Sequence, residues 1–231
     1  SGRRARLDQL DRLSEDLANA GTAGFKGERV SNANAPRPTF GEALETAIDV
    51  SVGARRLDVR QGTVSPTGRQ LDLAVQGDGF LVVQTPAGPR YTRNGNLLKA
   101  ADGSLMTSDG GVVVGEDGPI KLGAGAASID DDGTVMSGNK AVGKLQVVRF
   151  DDPRELVREG GAMLRANAAM VPQPVEGTVV KAGVLEESNV SVVERIGELT
   201  GVSRSFQALQ KAVSVLMNDV DGRAIDSLGR R

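Results

Sequence analysis

Residues 71–97 read LDLAVQGDGFLVVQTPAGPRYTRNGNL, and this stretch sets the middle of the chain as β structure. Leu71, Leu73 and Val75 alternate with Asp72 and Ala74, the period of a half-buried strand. Phe80 to Val83 is a short apolar run that follows Gly77-Asp78-Gly79, and Asn94-Gly95 is a turn dipeptide. Outward from there, Leu57-Asp58-Val59 alternates in the same way. Asp102-Gly103, Asp109-Gly110, Asp117-Gly118 and Asp132-Gly133 continue the turn signals at spacings of 7 or 8, and once of 15. From about Leu57 to Val180 the pattern suits short antiparallel strands joined by hairpins, as a small sandwich or open barrel.

Both ends have a helical period. Leu7, Leu10, Leu13 and Leu17 recur at spacings of three, three and four within residues 3–20. Gly21, Gly24 and Phe25 form the expected helix exit. Pro36 and Pro38 mark residues 31–40 as loop, with a short helix over 41–49. At the other end Ser191 and Glu194 fit a capping box. Val192, Ile196, Leu199, Phe206, Val213, Met217, Val220 and Ala224 then make a heptad seam, with Ser203 and Gln210 in its two polar gaps. A helix over 191–228 would run about 57 Å, against about 27 Å for residues 3–20.

The expected fold class is therefore α+β. N- and C-terminal helices pack as a coiled-coil-like pair beside a central all-β antiparallel domain. Residues 1–27 and 184–231 form the helical assembly domain, 28–65 an extended linker and 66–183 the β domain. About half of the longer seam then finds no partner within the chain, and leaving it in water forfeits a large hydrophobic term. The pattern points to a protein that assembles.

Composition narrows the function. The 231 residues carry 28 Lys and Arg against 30 Asp and Glu, a net charge of −2, so no basic excess points to nucleic acid. The absence of His and Cys removes the commonest general base, thiolate nucleophiles and sulfur-ligated metals. Carboxylate-based glycosidase chemistry stays open, but one Tyr and no Trp leave little on which to stack a sugar. No apolar stretch approaches a membrane span, and SGRRARLDQLDRL lacks the apolar core of a cleavable signal.

The local motifs have plain structural explanations. Asp130-Asp131-Asp132-Gly133 lacks the ligand spacing of a calcium loop and reads as an acidic turn. Gly123-Ala124-Gly125 lacks the third glycine and βαβ setting of a dinucleotide site. Asn189-Val190-Ser191 matches the glycosylation pattern, and its place before the C-terminal helix explains it better. Arg3, Arg4, Arg6 and Arg12 alternate with Asp8 and Asp11 on a solvated helix face. Arg90, Tyr91 and Arg93 fit a strand surface better than a nucleic-acid patch. No catalytic, cofactor-binding or metal-ligating residue is expected.

Four stretches together resemble the flagellar rod and hook protein family. LANAGTAGFK (17–26) is similar to its N-terminal signature. LDLAVQGDGFLVV (71–83) and YTRNGNL (91–97) are similar to its β-domain signatures, and LEESNVSVVERIGEL (185–199) to its C-terminal one. They occur in order over nearly the whole chain. Glu15-Asp16, Leu97 and Ser203-Arg204-Ser205-Phe206-Gln207 depart from the usual family pattern. The resemblance implies a structural subunit of the bacterial flagellar basal body, in the rod that spans the periplasm. The proximal rod is expected first, and the distal rod is the alternative. It also implies export by the flagellar type III apparatus without signal cleavage, and helical polymerisation with copies of itself and other rod proteins. Partnership with nucleic acid and stable membrane insertion are not expected. A coiled-coil-plus-β adhesion module is the non-flagellar alternative. It would tolerate loss of residues 1–20, which a rod subunit would not.

Overall fold

The structure is a computed structural model, which describes residues 2–30, 55–175, 177, 180–204, 207 and 211. Helix α1 (Gly2–Ala18) is followed by a mostly β chain. A second helical stretch covers residues 192–204. The expected helix over 41–49 lies outside the described residues.

The centre of the β body is the hairpin of strands Phe80–Thr85 and Gly88–Thr92, in register from Leu81↔Thr92 to Thr85↔Gly88. Its turn is closed by Thr85 Oγ1, which donates to the Gly88 carbonyl at 2.8 Å. The hairpin sits inside a ten-stranded sheet. Strand Val112–Gly115 pairs on one side and Met163–Arg165 on the other. A three-stranded sheet of Ala127–Ile129, Thr134–Ser137 and Lys140–Lys144 lies beyond. Every pairing among the described strands is antiparallel.

The apolar run Phe80–Val83 is continuous because its strand is buried on both faces. Successive side chains of a strand point to opposite sides. Leu81 and Val83 enter a core with Leu73, Val75, Leu97, Val113, Val135 and Val147. Phe80 and Val82 enter a second core with Tyr91, Val148, Phe150 and Leu164. Three of the chain's few aromatics meet there, with Tyr91 edge-on to Phe150 at 4.8 Å between centroids and Phe80 6.2 Å from the same ring.

The four Asp-Gly pairs sit at or beside hairpin turns, and their glycines have positive φ. Asn94-Gly95 behaves differently. Asn94 is buried and its amide donates to Ser108 Oγ and Asp109 Oδ2, each at 2.9 Å. Gly95 is needed for close approach, since a Cβ there would lie 1.8 Å from the Leu73 carbonyl oxygen. The dipeptide ties strands together and does not reverse the chain.

The expected coiled-coil-like helix pair is corrected by the structure. The two helical stretches flank a mostly β chain and meet through charged groups. Arg195 Nε lies 3.1 Å from Asp16 Oδ2, and Arg195 also donates to the Glu28 carbonyl at 3.2 Å. On α1 the buried face carries Arg12, Leu13 and Asp16. Val192 and Ile196 of the expected seam are 43% and 49% exposed, and Leu7 is 48% exposed. Sequence period places residues on one helix face but does not say what that face meets. Here Arg12 and Asp16, four residues apart, occupy the contact with charge.

Three further strand pairs bring the ends onto the body. Glu28–Val30 pairs with Arg55–Leu57. Val184–Glu186 pairs with Val64–Pro66, and Val180–Ala182 with Leu73–Val75.

Candidate functional site

The described residues converge on the junction where the two ends of the chain join the β body. After α1, the chain turns at residues 19–24 and runs into the body at Phe25, which is fully buried. Gly24 has φ +66°, and a Cβ there would lie 2.2 Å from the Arg93 carbonyl carbon. The chain thus passes against the backbone of strand Gly88–Thr92 just beyond its end, which only glycine allows. Gly21 has nothing within 4 Å of where a Cβ would stand. Phe25 packs with Ala162 and Val190, and the Arg158 guanidinium lies 5.1 Å from its ring centroid.

Two buried charge clusters fix this junction. In the first, Lys26 Nζ pairs with Glu186 Oε1 and donates to the Arg60 carbonyl at 2.7 Å. Glu186 Oε1 also accepts from Gly62 N–H at 3.0 Å, and its Oε2 lies 3.4 Å from Arg93 Nη1. Arg93 donates in turn to the carbonyls of Val75, at 3.2 Å, and Gly77. All three side chains are buried. Burial pushes Lys26 and Arg93 below their ordinary values, against the pull of Glu186 upward.

In the second cluster, Arg158 of strand Val157–Arg158 contacts Asp16 at 2.5 Å, Glu28 at 3.3 Å and Glu15 at 3.4 Å. Arg12 donates to the Glu28 carbonyl at 2.9 Å. Beside it, Asp58 is gripped by Arg29 Nε and Arg60 Nη2, each at 2.7 Å. Burial works to raise the Asp58 carboxyl, but hydrogen bonds from Arg60 and the charge of Arg29 outweigh it and hold it below the usual range.

The residues singled out in the sequence fall as follows. Leu13 is buried, Leu10, Leu17 and Leu199 are half-buried, and Leu7, Val192 and Ile196 are exposed. Phe206, Val213, Met217 and Val220 lie outside the described residues. The Glu194 N–H donates to Ser191 Oγ at 3.3 Å at the start of the C-terminal helix. A cleft of about 410 Å³ between the helices is lined by Gln9, Arg12, Arg29, Glu194, Arg195 and Glu198. Among the described residues, no group of three or more acidic, His or Cys side chains is placed to hold a metal. Also among them, no helix is long and apolar enough to cross a membrane.

Sequence reasoning missed Lys26, Glu186, Arg93, Asp16 and Arg158, because hydropathy patterns assign charges to the surface. One signal was present. Lys26, Arg93 and Glu186 lie one each in the stretches 17–26, 91–97 and 185–199, and the carbonyls of Val75 and Gly77 come from 71–83. The four signatures meet at one point in space.

A β body to which α1 and residues 184–195 are tied by buried charge fits a structural subunit. Comparison with known proteins specifies which kind. Residues 74–137 match the flagellar hook protein FlgE/F/G D1 domain, and residues 181–219 the flagellar basal body rod FlgEFG protein C-terminal region. The chain is 31% identical over 229 residues to flagellar basal-body rod protein FlgF of Caulobacter vibrioides, covering 96% of this chain and 92% of that one. It is 34% identical over 235 residues to FlgF of Salmonella typhimurium, covering 94% and 91%. Against FlgG of Bacillus subtilis it is 31% identical over 241 residues, covering 93% and 91%. The chain belongs to the flagellar basal-body rod protein family. It is a structural subunit of the basal-body rod and not an enzyme, and the F-type relatives are favoured over the G-type ones.

Proposed function

We propose that the chain is a proximal-rod subunit that polymerises helically through its terminal helices and transmits torque from motor to hook. The observation that carries this reading is the split between the two helix faces. Arg195 ties one face to Asp16 of α1 and to the Glu28 carbonyl, while Val192, Val193 and Ile196 stay exposed beside it. An apolar strip on a helix held in place is what a neighbouring subunit can cover. On this reading the assembly interface comprises Leu7, Leu10, Leu17, Val192, Ile196, Leu199, Phe206, Val213, Met217 and Val220, with Leu13 of the expected set packed inside the chain. Its partners are further copies and other rod proteins, and burial of the seam is coupled to assembly. Delivery by the flagellar type III export apparatus, without signal cleavage, accompanies the same reading.

Copy number in purified hook–basal bodies tests it. Quantitative mass spectrometry should find a few copies per particle, because a short proximal segment needs few subunits. Many copies would place the chain in the distal rod, and absence would end the assembly reading.

A further inference from the structure

We propose that Glu186 sets the order in which the two ends dock: the exit segment 22–27, carrying Lys26, settles on the β body only once strand Val184–Glu186 is in place. This rests on the fold and not on the assembly reading above.

The dependence runs one way. Lys26 Nζ contacts the Glu186 carboxylate and the neutral Arg60 carbonyl. If the segment docked without Glu186, a buried ammonium would keep only that carbonyl as a hydrogen-bond partner, with the Arg93 guanidinium as a nearby like charge and Asp58 as a weaker, more distant anion. A buried cation deprived of its anion is strongly unfavourable. The backbone leans the same way. Gly24 N–H donates to the Glu186 carbonyl at 2.7 Å, Gly27 N–H to Asn189 Oδ1 at 2.9 Å, and Asn189 N–H to the Phe25 carbonyl at 3.3 Å.

Without segment 22–27, strand Val184–Glu186 gives up the Gly24 N–H at the Glu186 carbonyl and the Lys26 ammonium at its carboxylate, but keeps its own pairing. It pairs with Val64–Pro66, and Glu187 N–H donates to the Thr63 carbonyl at 2.8 Å. Without Lys26, Glu186 keeps Arg93 and the Gly62 N–H. Lys26 and Glu186 are 160 residues apart. The exit segment is therefore fixed only after strand Val184–Glu186, although it comes far earlier in the sequence. Arg158 also reaches the carboxylates of α1 from the β body, so the reporter of the order is segment 22–27 and not α1 itself.

Hydrogen exchange by mass spectrometry on the full chain tests the order. In the wild type, peptides spanning 22–27 should exchange about tenfold faster than peptides spanning 184–187, because the dependent segment opens first. Glu186→Gln should speed exchange in 22–27 by about tenfold more. Lys26→Met should leave 184–187 unchanged, and Lys26→Met combined with Glu186→Gln should slow 22–27 relative to Glu186→Gln alone. The order is wrong if 22–27 is the better protected segment in the wild type. It is equally wrong if Glu186→Gln leaves 22–27 unchanged, or if Lys26→Met exposes 184–187. Should Glu186→Gln also strip protection from strand Phe80–Thr85, it has unfolded the body. The wild-type and Lys26→Met arms then decide.

Discussion

Asp16 of α1 and Arg195 of the C-terminal helix stand 3.1 Å apart in charge contact, and Arg158 of the β body holds the other Asp16 oxygen at 2.5 Å. Asp16 is fully buried, so one carboxylate joins three parts of the chain. That contact replaces the apolar seam expected between the helices.

Asp16→Ala should destabilise the chain by about 3 kcal/mol, because it leaves Arg158 and Arg195 facing each other without their shared anion. Urea unfolding would read the loss as a lower midpoint. A variant within about 0.5 kcal/mol of the wild type would show that Glu15 and Glu28 suffice for Arg158 and Glu198 for Arg195.

Gly24→Ala and Gly21→Ala should differ sharply. The first places a Cβ against the Arg93 backbone at positive φ, and should cost about 2 kcal/mol or more. The second meets open space, and should change stability by under about 0.5 kcal/mol. Thermal unfolding of the pair measures the contrast, and equal effects would refute the close passage.

Acid should loosen the junction through Asp58. Its carboxyl is held below the ordinary range in the folded chain, so the unfolded state binds the proton more readily. The stabilisation is fully present above about pH 4, the unfolded value, and is lost as pH falls through the folded value. Asp58→Asn should flatten the fall in stability on acidification, removing up to one proton from the pH slope. An unchanged slope from pH 6 to pH 2 would contradict this.

The β body was legible in the sequence because its signals are local. Turn chemistry at Asp132-Gly133 and the apolar run at Phe80–Val83 each follow from a few neighbouring residues. The helix contact was not legible. Periodicity put Val192 and Ile196 on one face and Leu7 to Leu17 on another, but whether two faces meet is set by contacts distant in sequence. The junction was legible only as four stretches of likeness. That Lys26, Arg93 and Glu186 are buried together depends on contacts up to 160 residues apart in sequence, which no local window contains.

The claim at the centre is that the exposed helix face serves neighbours and not the monomer. Val192→Ser with Ile196→Ser should leave the unfolding midpoint within about 0.5 kcal/mol of the wild type, since both residues are exposed. Expressed in place of the wild-type chain, the double variant should then be absent from purified hook–basal bodies when its peptides are counted by mass spectrometry. Wild-type copy number for a normally folded variant would contradict assembly through that face.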